Sequence, residues 1–396
     1  MPGSLFADIS WCRPLQHSAS AHGAGRDGVV SGCSHPHVPL APQFILPHSR
    51  GSSHGQSRII RSTYAKAVYA RMMPESFRLW QQLETEASTS LYRQTGLVVL
   101  GPAGDPSLES CRRSLDDGDA TVILDATTLA QRFPGLRTHA GEVALWDGTG
   151  GVLFADRALR AVQDVFRRHG GTLRDGEKVL RIEPGTMVTV TTSGGVYQAP
   201  RLIIAAGAWT GALVAPLGLR LPLQPLRIDV CYWRKKEPGS PDMGRDSPCF
   251  ITAGLRQPPH SVYGLPALEY PGLVKVCYHY GSPTDPDERD RAPPGAPRPS
   301  IALLSRFISS YLPGLETEPA VVETCLYTNT PDEDFILDRH PQYSNIIIGA
   351  GFSGHGFKLA PVVGKLLCEL SLSEEPSHSM APFAIARFPN VLQAAL

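Results

Sequence analysis

The strongest constraint on the fold lies near the C-terminus. Asn345-Ile346-Ile347-Ile348 is a short apolar run of the kind buried on both faces of a sheet, and it opens into the G-x-G-x-x-G spacing of Gly349, Gly351 and Gly354. A helical pattern follows from about Phe357 to Leu370. Strand, glycine turn and helix in that order set the free amides of a helix start beside backbone without side chains, where a ligand can approach closely. Glu369 stands where a ribose-binding acid would be sought, but it falls inside the helical pattern instead of ending a second strand. The junction therefore reads as a ligand-facing strand–loop–helix and not as a standard dinucleotide fingerprint. The bland alternative is a tight turn without function.

A second match to the same spacing, Gly23, Gly25 and Gly28, lacks this context. Ser18-Ala19-Ser20-Ala21 precedes it and a proline-rich tract follows, so no helix end can point its amides at a pyrophosphate there. Residues 1–42 are short of aliphatic periodicity and end in Ser34-His35-Pro36-His37-Val38-Pro39, a composition that reads as disordered.

From Phe44 onward the chain reads as α/β protein. Val68, Met72, Leu79 and Leu83 predict a helix over residues 65–87, kinked or split at Pro74. Thr95 to Gly101 reads as a strand, as do Val179–Ile182, Val188–Thr191 and Leu202–Ala205. Asp125 is a candidate cap for one helix, and Asp156 for the amphipathic run Leu159, Val162, Val165, Phe166. Residues 221–325 are strand-rich with proline-rich loops and read as an antiparallel sheet domain inserted between halves of the α/β part. A length of 396 residues agrees with two packed domains.

Composition removes several function classes. Lysine plus arginine total 37 and aspartate plus glutamate total 37, leaving no overall field to attract nucleic acid or an anionic membrane. The eight cysteines form no C-x-x-C pair, which argues against a structural metal site and a dense disulfide framework. Apolar runs are too short to span a bilayer. One basic cluster remains, Ser52 to Arg61, where His54, Arg58 and Arg61 offer cationic groups suited to a carboxylate or an electron-rich cofactor edge; a solvated basic turn would look the same.

Five strings carry a resemblance: LPHSRGSSHGQSRIIR (46–61), RQTGLVVLG (93–101), DGEKVLRI (175–182), CLYTNTPDEDFILDRHP (325–341) and GAGFSGHGFKLAPVVGK (349–365). From about Phe44 to its end the chain resembles the peroxisomal sarcosine oxidase and L-pipecolate oxidase proteins of animals. It is more distantly similar to bacterial monomeric sarcosine oxidases, within the flavin-dependent amine oxidoreductases related to D-amino acid oxidase.

That resemblance implies an α/β, two-domain fold. Residues 43–90, 150–220 and 325–396 would form an FAD-binding, Rossmann-like domain, and residues 91–149 and 221–324 an antiparallel-sheet substrate domain. It implies FAD joined through a thioether to Cys325, with Arg61 and Lys358 clamping the substrate carboxylate and His54 and Arg58 beside the flavin. Lys275 would activate oxygen from the other ring face, His279 and Tyr263 would line the substrate cavity, and no metal is implied. Gly351, Gly354, His355 and Gly356 would meet the flavin ring edge, and the strand at Val179 would reach the adenine.

The implied reaction oxidises a C–N bond of sarcosine, L-pipecolate or L-proline to an imine and reduces O2 to hydrogen peroxide. The implied partners are a small-molecule substrate and O2, with no nucleic acid or membrane, in a peroxisomal monomer. The terminal Ala394-Ala395-Leu396 departs from the family's Ser-Lys-Leu type of import signal. The family's first strand, glycine turn and helix are not recognisable in residues 1–42, which leaves the FAD-binding domain incomplete on this reading. The rival reading is then a catalytically silent, flavin-free binder of small molecules.

Overall fold

The computed structural model describes residues 4–7, 39–40, 42–114, 121–237, 243–244, 247–255, 257–266, 270–291 and 298–392. Both Gly23-Gly25-Gly28 and the terminal tripeptide lie outside them.

A six-stranded sheet runs in the order Ile336–Arg339, Ile346–Ala350, Arg201–Ile204, Ser4–Ala7, Pro39–Leu40, Thr172–Leu173. All its pairings are parallel except that of Ile336–Arg339 with Ile346–Ala350. The consecutive isoleucines serve both faces, because successive strand residues point to opposite sides. Ile203, Leu337 and Ile347 pack against the helices Ala67–Ala87, Ala155–Arg168 and Ala360–Leu372. Leu202, Ile204, Ile346 and Ile348 pack against a three-stranded sheet formed by Val179–Glu183, Val188–Thr192 and Val196–Ala199.

The reading of residues 1–42 as disordered and lacking the central strand is corrected at one point. Ser4–Ala7 pairs in parallel register with Arg201–Ile204, Ser4 opposite Arg201 and Ala7 opposite Ile204, so the middle of the sheet is filled. A strand of four residues among glycines and serines carries no periodicity that a sequence pattern can register.

The second body is a nine-stranded mixed sheet that includes Gln224–Lys235, Leu273–Tyr278, Val262–Pro266, Cys249–Thr252 and Leu97–Pro102, with Leu315–Asn329 pairing along Gln224–Lys235. One face carries Val274, Val276 and Trp233 against the helix Pro299–Tyr311. Alternation sends Lys275 and Cys277 to the opposite face, towards the six-stranded sheet's half of the molecule. Cys325 falls inside the long strand Leu315–Asn329.

Other local expectations divide. Asp125 caps Ala126–Arg132 by accepting from the Thr128 amide at 2.8 Å. Asp156 does not cap: its helix begins at Ala155 with Phe154 at the cap position, and the acid sits in the first turn. Pro74 lies in the second turn of Ala67–Ala87, which continues as one helix. Glu369 is inside the helix Ala360–Leu372, where it holds the Ser377 amide and hydroxyl, a structural task.

Candidate active site

A cavity of about 640 Å³ lies between the two bodies, within the size range of small-molecule and cofactor sites. Segments distant in sequence line it: residues 46–59, 205–209, 323–328 and 352–358, together with Arg61, Tyr263, Lys275 and His279.

The glycine loop shapes one end. Gly354 has φ +76°, and a Cβ there would stand 2.3 Å from Tyr327 Cε2, so only glycine lets this ring approach. Ser353 fastens the loop to the neighbouring strand, its amide donating to Thr328 O at 3.0 Å. After the loop comes Lys358, whose carbonyl accepts from Trp80 Nε1 at 2.9 Å and Ser76 Oγ at 2.5 Å on the helix Ala67–Ala87. Its side chain turns back, Nζ donating to His355 O at 3.2 Å.

Arg61 arrives from the other side. The residues after it are pinned by the buried Asp147, whose Oδ2 accepts the amides of Ser62 at 3.0 Å and Thr63 at 3.1 Å. Arg61 Cζ lies 4.6 Å from the centre of the Tyr64 ring and Lys358 Nζ lies 5.6 Å from the same centre. Two cations from remote parts of the chain thus meet at one aromatic ring. Burial first, then the charges of Arg61 and Arg58, holds the Lys358 ammonium well below the usual lysine range. Such a site is poised for an anion, because a carboxylate would relieve both the repulsion and the desolvation.

Against the glycine loop, Tyr327 contacts His279 Nδ1 at 3.2 Å and the Tyr263 hydroxyl at 3.5 Å. Burial, followed by the charges of Lys358 and Arg61, pushes His279 down to about 3, so this imidazole is neutral at ordinary pH. Tyr327 was absent from the sequence-based residue set. The signal for it was available, since it stands two residues after Cys325 and shares that residue's strand face. Tyr64, the ring beneath both cations, was missed as well.

The basic cluster folds back on itself. Arg58 Nη1 donates to Ser57 O at 2.8 Å and Nη2 to Ser52 O at 2.9 Å and to His54 O, with Cζ 5.5 Å from the centre of Phe357. Burial and the Arg58 charge lower His54 to about 4 against its bond to Gly51 O. Lys275, 4% exposed, donates to Ser57 Oγ at 3.2 Å. Cys325 is buried, with Sγ 3.9 Å from Ser52 O and 3.7 Å from Leu326 O.

His355 and Gly356 border the cavity, and burial holds the His355 ring well below its usual range. Two of the expected residues lie off this lining. Val179 is outside the lining, paired with Thr192 in the three-stranded sheet. Gly351 is also outside it, buried with φ +66° where a Cβ would meet Thr330 Cγ2 at 2.5 Å; its part is to turn the chain.

The donor set fits a long flavin nucleotide. On the cavity lining Gly207, with φ +53°, has no heavy atom within 4 Å of where a Cβ would stand, leaving a cradle beside Trp209. The same lining carries the Cys325 thiol and the Arg58, Arg61, Lys275 and Lys358 cations. There the buried Thr328 Oγ1 has no hydrogen-bond partner among the described residues.

Comparison with known proteins agrees with this geometry. The family described as FAD dependent oxidoreductase matches residues 45–370. Peroxisomal sarcosine oxidase of Homo sapiens is 54% identical over 91% of this chain and 92% of its own length. Monomeric sarcosine oxidase of Bacillus sp. (strain NS-129) is 33% identical over 88% of this chain and 90% of its own. Among solved structures, L-proline dehydrogenase from P.horikoshii superposes with a TM-score of 0.74 at 20% identity, covering 89% of this chain and 91% of that one, a likeness of fold. The chain belongs to the FAD dependent oxidoreductase family.

Proposed function

We propose that this member of the FAD dependent oxidoreductase family oxidises a C–N bond of a secondary amino acid, of the class of sarcosine, L-pipecolate or L-proline, to an imine and reduces O2 to hydrogen peroxide. One observation carries the reading: Arg61 and Lys358 converge over Tyr64 in the same cavity that Cys325 and Lys275 line. A paired cation site asks for a carboxylate, and the neutral, aromatic wall of Tyr263, His279 and Tyr327 accepts an apolar amine.

The cations also set the substrate's protonation. An ammonium group entering beside Arg61, Lys358 and Arg58 meets like charge in a desolvated pocket, so the amine sheds its proton and presents its lone pair. Flavin, when bound, supplies the acceptor for a hydride equivalent from the carbon next to that nitrogen and passes the electrons to O2. Arg58 and His54 would border one side of it, and the buried Lys275 would offer positive charge where oxygen is reduced. Cys325 would anchor the ring through sulfur. Forming that linkage would remove one hydrogen from the thiol and one from the ring substituent, both taken up by O2 as hydrogen peroxide. Gly354, His355 and Gly356 on the lining would hold the ring edge.

We further infer a monomeric protein housed in the peroxisome, in keeping with the names of the relatives. An oxygen electrode and a peroxide assay on the purified holoprotein test the function. Oxygen uptake matched by peroxide on addition of sarcosine, pipecolate or proline is expected; no uptake with any of them would overturn it. Lys275→Met is expected to slow the return of flavin colour on mixing with O2 far more than its bleaching by substrate. Equal slowing of both would remove the role given to Lys275.

A further inference from the structure

Next to Lys275 stand three side chains that the proposed reaction leaves without a task. Tyr232, on the strand Gln224–Lys235, lies in register opposite Lys275, and the lysine Nζ is 5.5 Å from the centre of its ring. The Tyr232 hydroxyl donates to Glu323 Oε2 at 3.2 Å, and the same carboxylate accepts from the Tyr270 hydroxyl at 2.6 Å. Tyr270 meets Tyr232 edge-on, ring centres 4.7 Å apart at 75°. Tyr232 is 1% exposed, sealed in the wall behind the cavity. Glu323 precedes Cys325 by two residues on Leu315–Asn329, shares its face, and borders the cavity.

This arrangement has a direction. An ammonium near an aromatic ring is drawn by the ring's negative face, more so where water is excluded. A phenol that donates to a carboxylate carries more electron density in its ring, which deepens that attraction. Tyr270 fixes the tilt of the ring, and Ser57 supplies the lysine with a hydrogen bond from the other body. Of the acids on the cavity lining, Asp156 and Glu323, only Glu323 belongs to the sheet that carries Lys275; the other titratable or charged groups on that lining are His48, His54, Arg58, Arg61, Arg160, Tyr263, His279, Cys325, Tyr327, His355 and Lys358.

We propose that Tyr232, held by Glu323 and Tyr270, is a positioning residue that seats the Lys275 ammonium at the cavity wall. The proposal rests on the role given to Lys275 above. Its test uses the holoprotein with Tyr232→Leu, which removes the ring, and with Tyr232→Phe and Glu323→Gln, which keep the ring and remove its polarisation. The return of flavin colour with O2 is expected to slow roughly 2- to 30-fold in Tyr232→Leu and less in the other two, with bleaching by sarcosine within about twofold of the parent.

A second readout needs no turnover. In protein carrying ¹³C-labelled lysine, the Lys275 signal, assigned by its loss in Lys275→Met, is expected to titrate up to about one pH unit lower in Tyr232→Leu, and in the same direction by less in Tyr232→Phe and Glu323→Gln. Should Tyr232→Leu fail to fold, the two milder variants carry the test. An unmoved Lys275 titration in the folded variants, or equal slowing of bleaching and colour return, would overturn the proposal. If Lys275→Met leaves colour return at the parent rate, the role of Lys275 fails, and the titration alone then decides whether Tyr232 seats the ammonium.

Discussion

Replacing Lys358 by methionine separates two consequences of one buried charge, and they have opposite signs. Methionine keeps most of the stem's length and packing and removes the ammonium. In the ligand-free protein that ammonium is a cost, because Lys358 is 8% exposed and faces the guanidinium charges of Arg61 and Arg58. Burial, then those charges, puts its folded value well below the ordinary lysine value of 10.5. Between the two values the unfolded chain binds more protons than the folded one, so stability rises with pH through that window; below the folded value the slope ends and the full cost remains. Lys358→Met should abolish this slope and raise neutral-pH stability by about 1–4 kcal/mol, the range for apolar replacement of buried ionic groups.

With a carboxylate present the sign reverses. Losing a buried charge-assisted bond costs about 2–5 kcal/mol, which corresponds to roughly a 30- to 5,000-fold rise in KM for sarcosine or in Kd for acetate. Urea unfolding of the ligand-free protein from pH 6 to 10, beside steady-state kinetics and acetate inhibition of the holoprotein, measures both. A variant that is less stable yet binds carboxylates as the parent does would refute the reasoning, since Lys358 would then be a structural cation.

Other outcomes follow from the same geometry. Gly354→Ala combines a left-handed backbone with a Cβ 2.3 Å from Tyr327; a loss of about 1–3 kcal/mol in urea unfolding is expected, with a fall in kcat/KM larger than that of Gly141→Ala on an exposed turn. His279 and His54 are lowered to about 3 and about 4 from 6.5, so the unfolded chain takes up protons first as pH falls; stability should drop between about pH 6.5 and 4, and His279→Asn should flatten that drop in a melting-temperature profile. Trp80→Phe removes the indole donor to the Lys358 carbonyl and leaves Ser76 Oγ, and a loss of about 0.5–1.5 kcal/mol, with KM for sarcosine raised more than kcat is lowered, is expected.

What could be read beforehand was whatever a period expresses. Val274-Lys275-Val276 carries a strand's alternation, and in the sheet both valines pack under the helix Pro299–Tyr311 while the lysine takes the other face. The isoleucines of Ile346–Ala350 likewise declared a strand buried on both faces. The strand Ser4–Ala7 was illegible because four residues paired to Arg201–Ile204 owe their place to their partner and not to a local pattern. Asp156 looked like a cap by residue type, but capping depends on backbone angles that the pattern does not encode. Tyr64 and Tyr232 escaped notice because an aromatic residue at a strand or loop reads first as core, and its role here is defined by cations that arrive from elsewhere in the chain.

The central claim is that Cys325, the Arg61–Lys358 pair and Lys275 surround one flavin ring. Acid precipitation of the purified protein, followed by mass spectrometry of the peptide that contains residue 325, tests it most directly. A pellet that stays yellow after washing, with flavin mass on the Cys325 peptide and none in Cys325→Ser, is the expected result. A colourless pellet and an unmodified Cys325 peptide would contradict it, and would leave the cavity as the binding site of a silent protein.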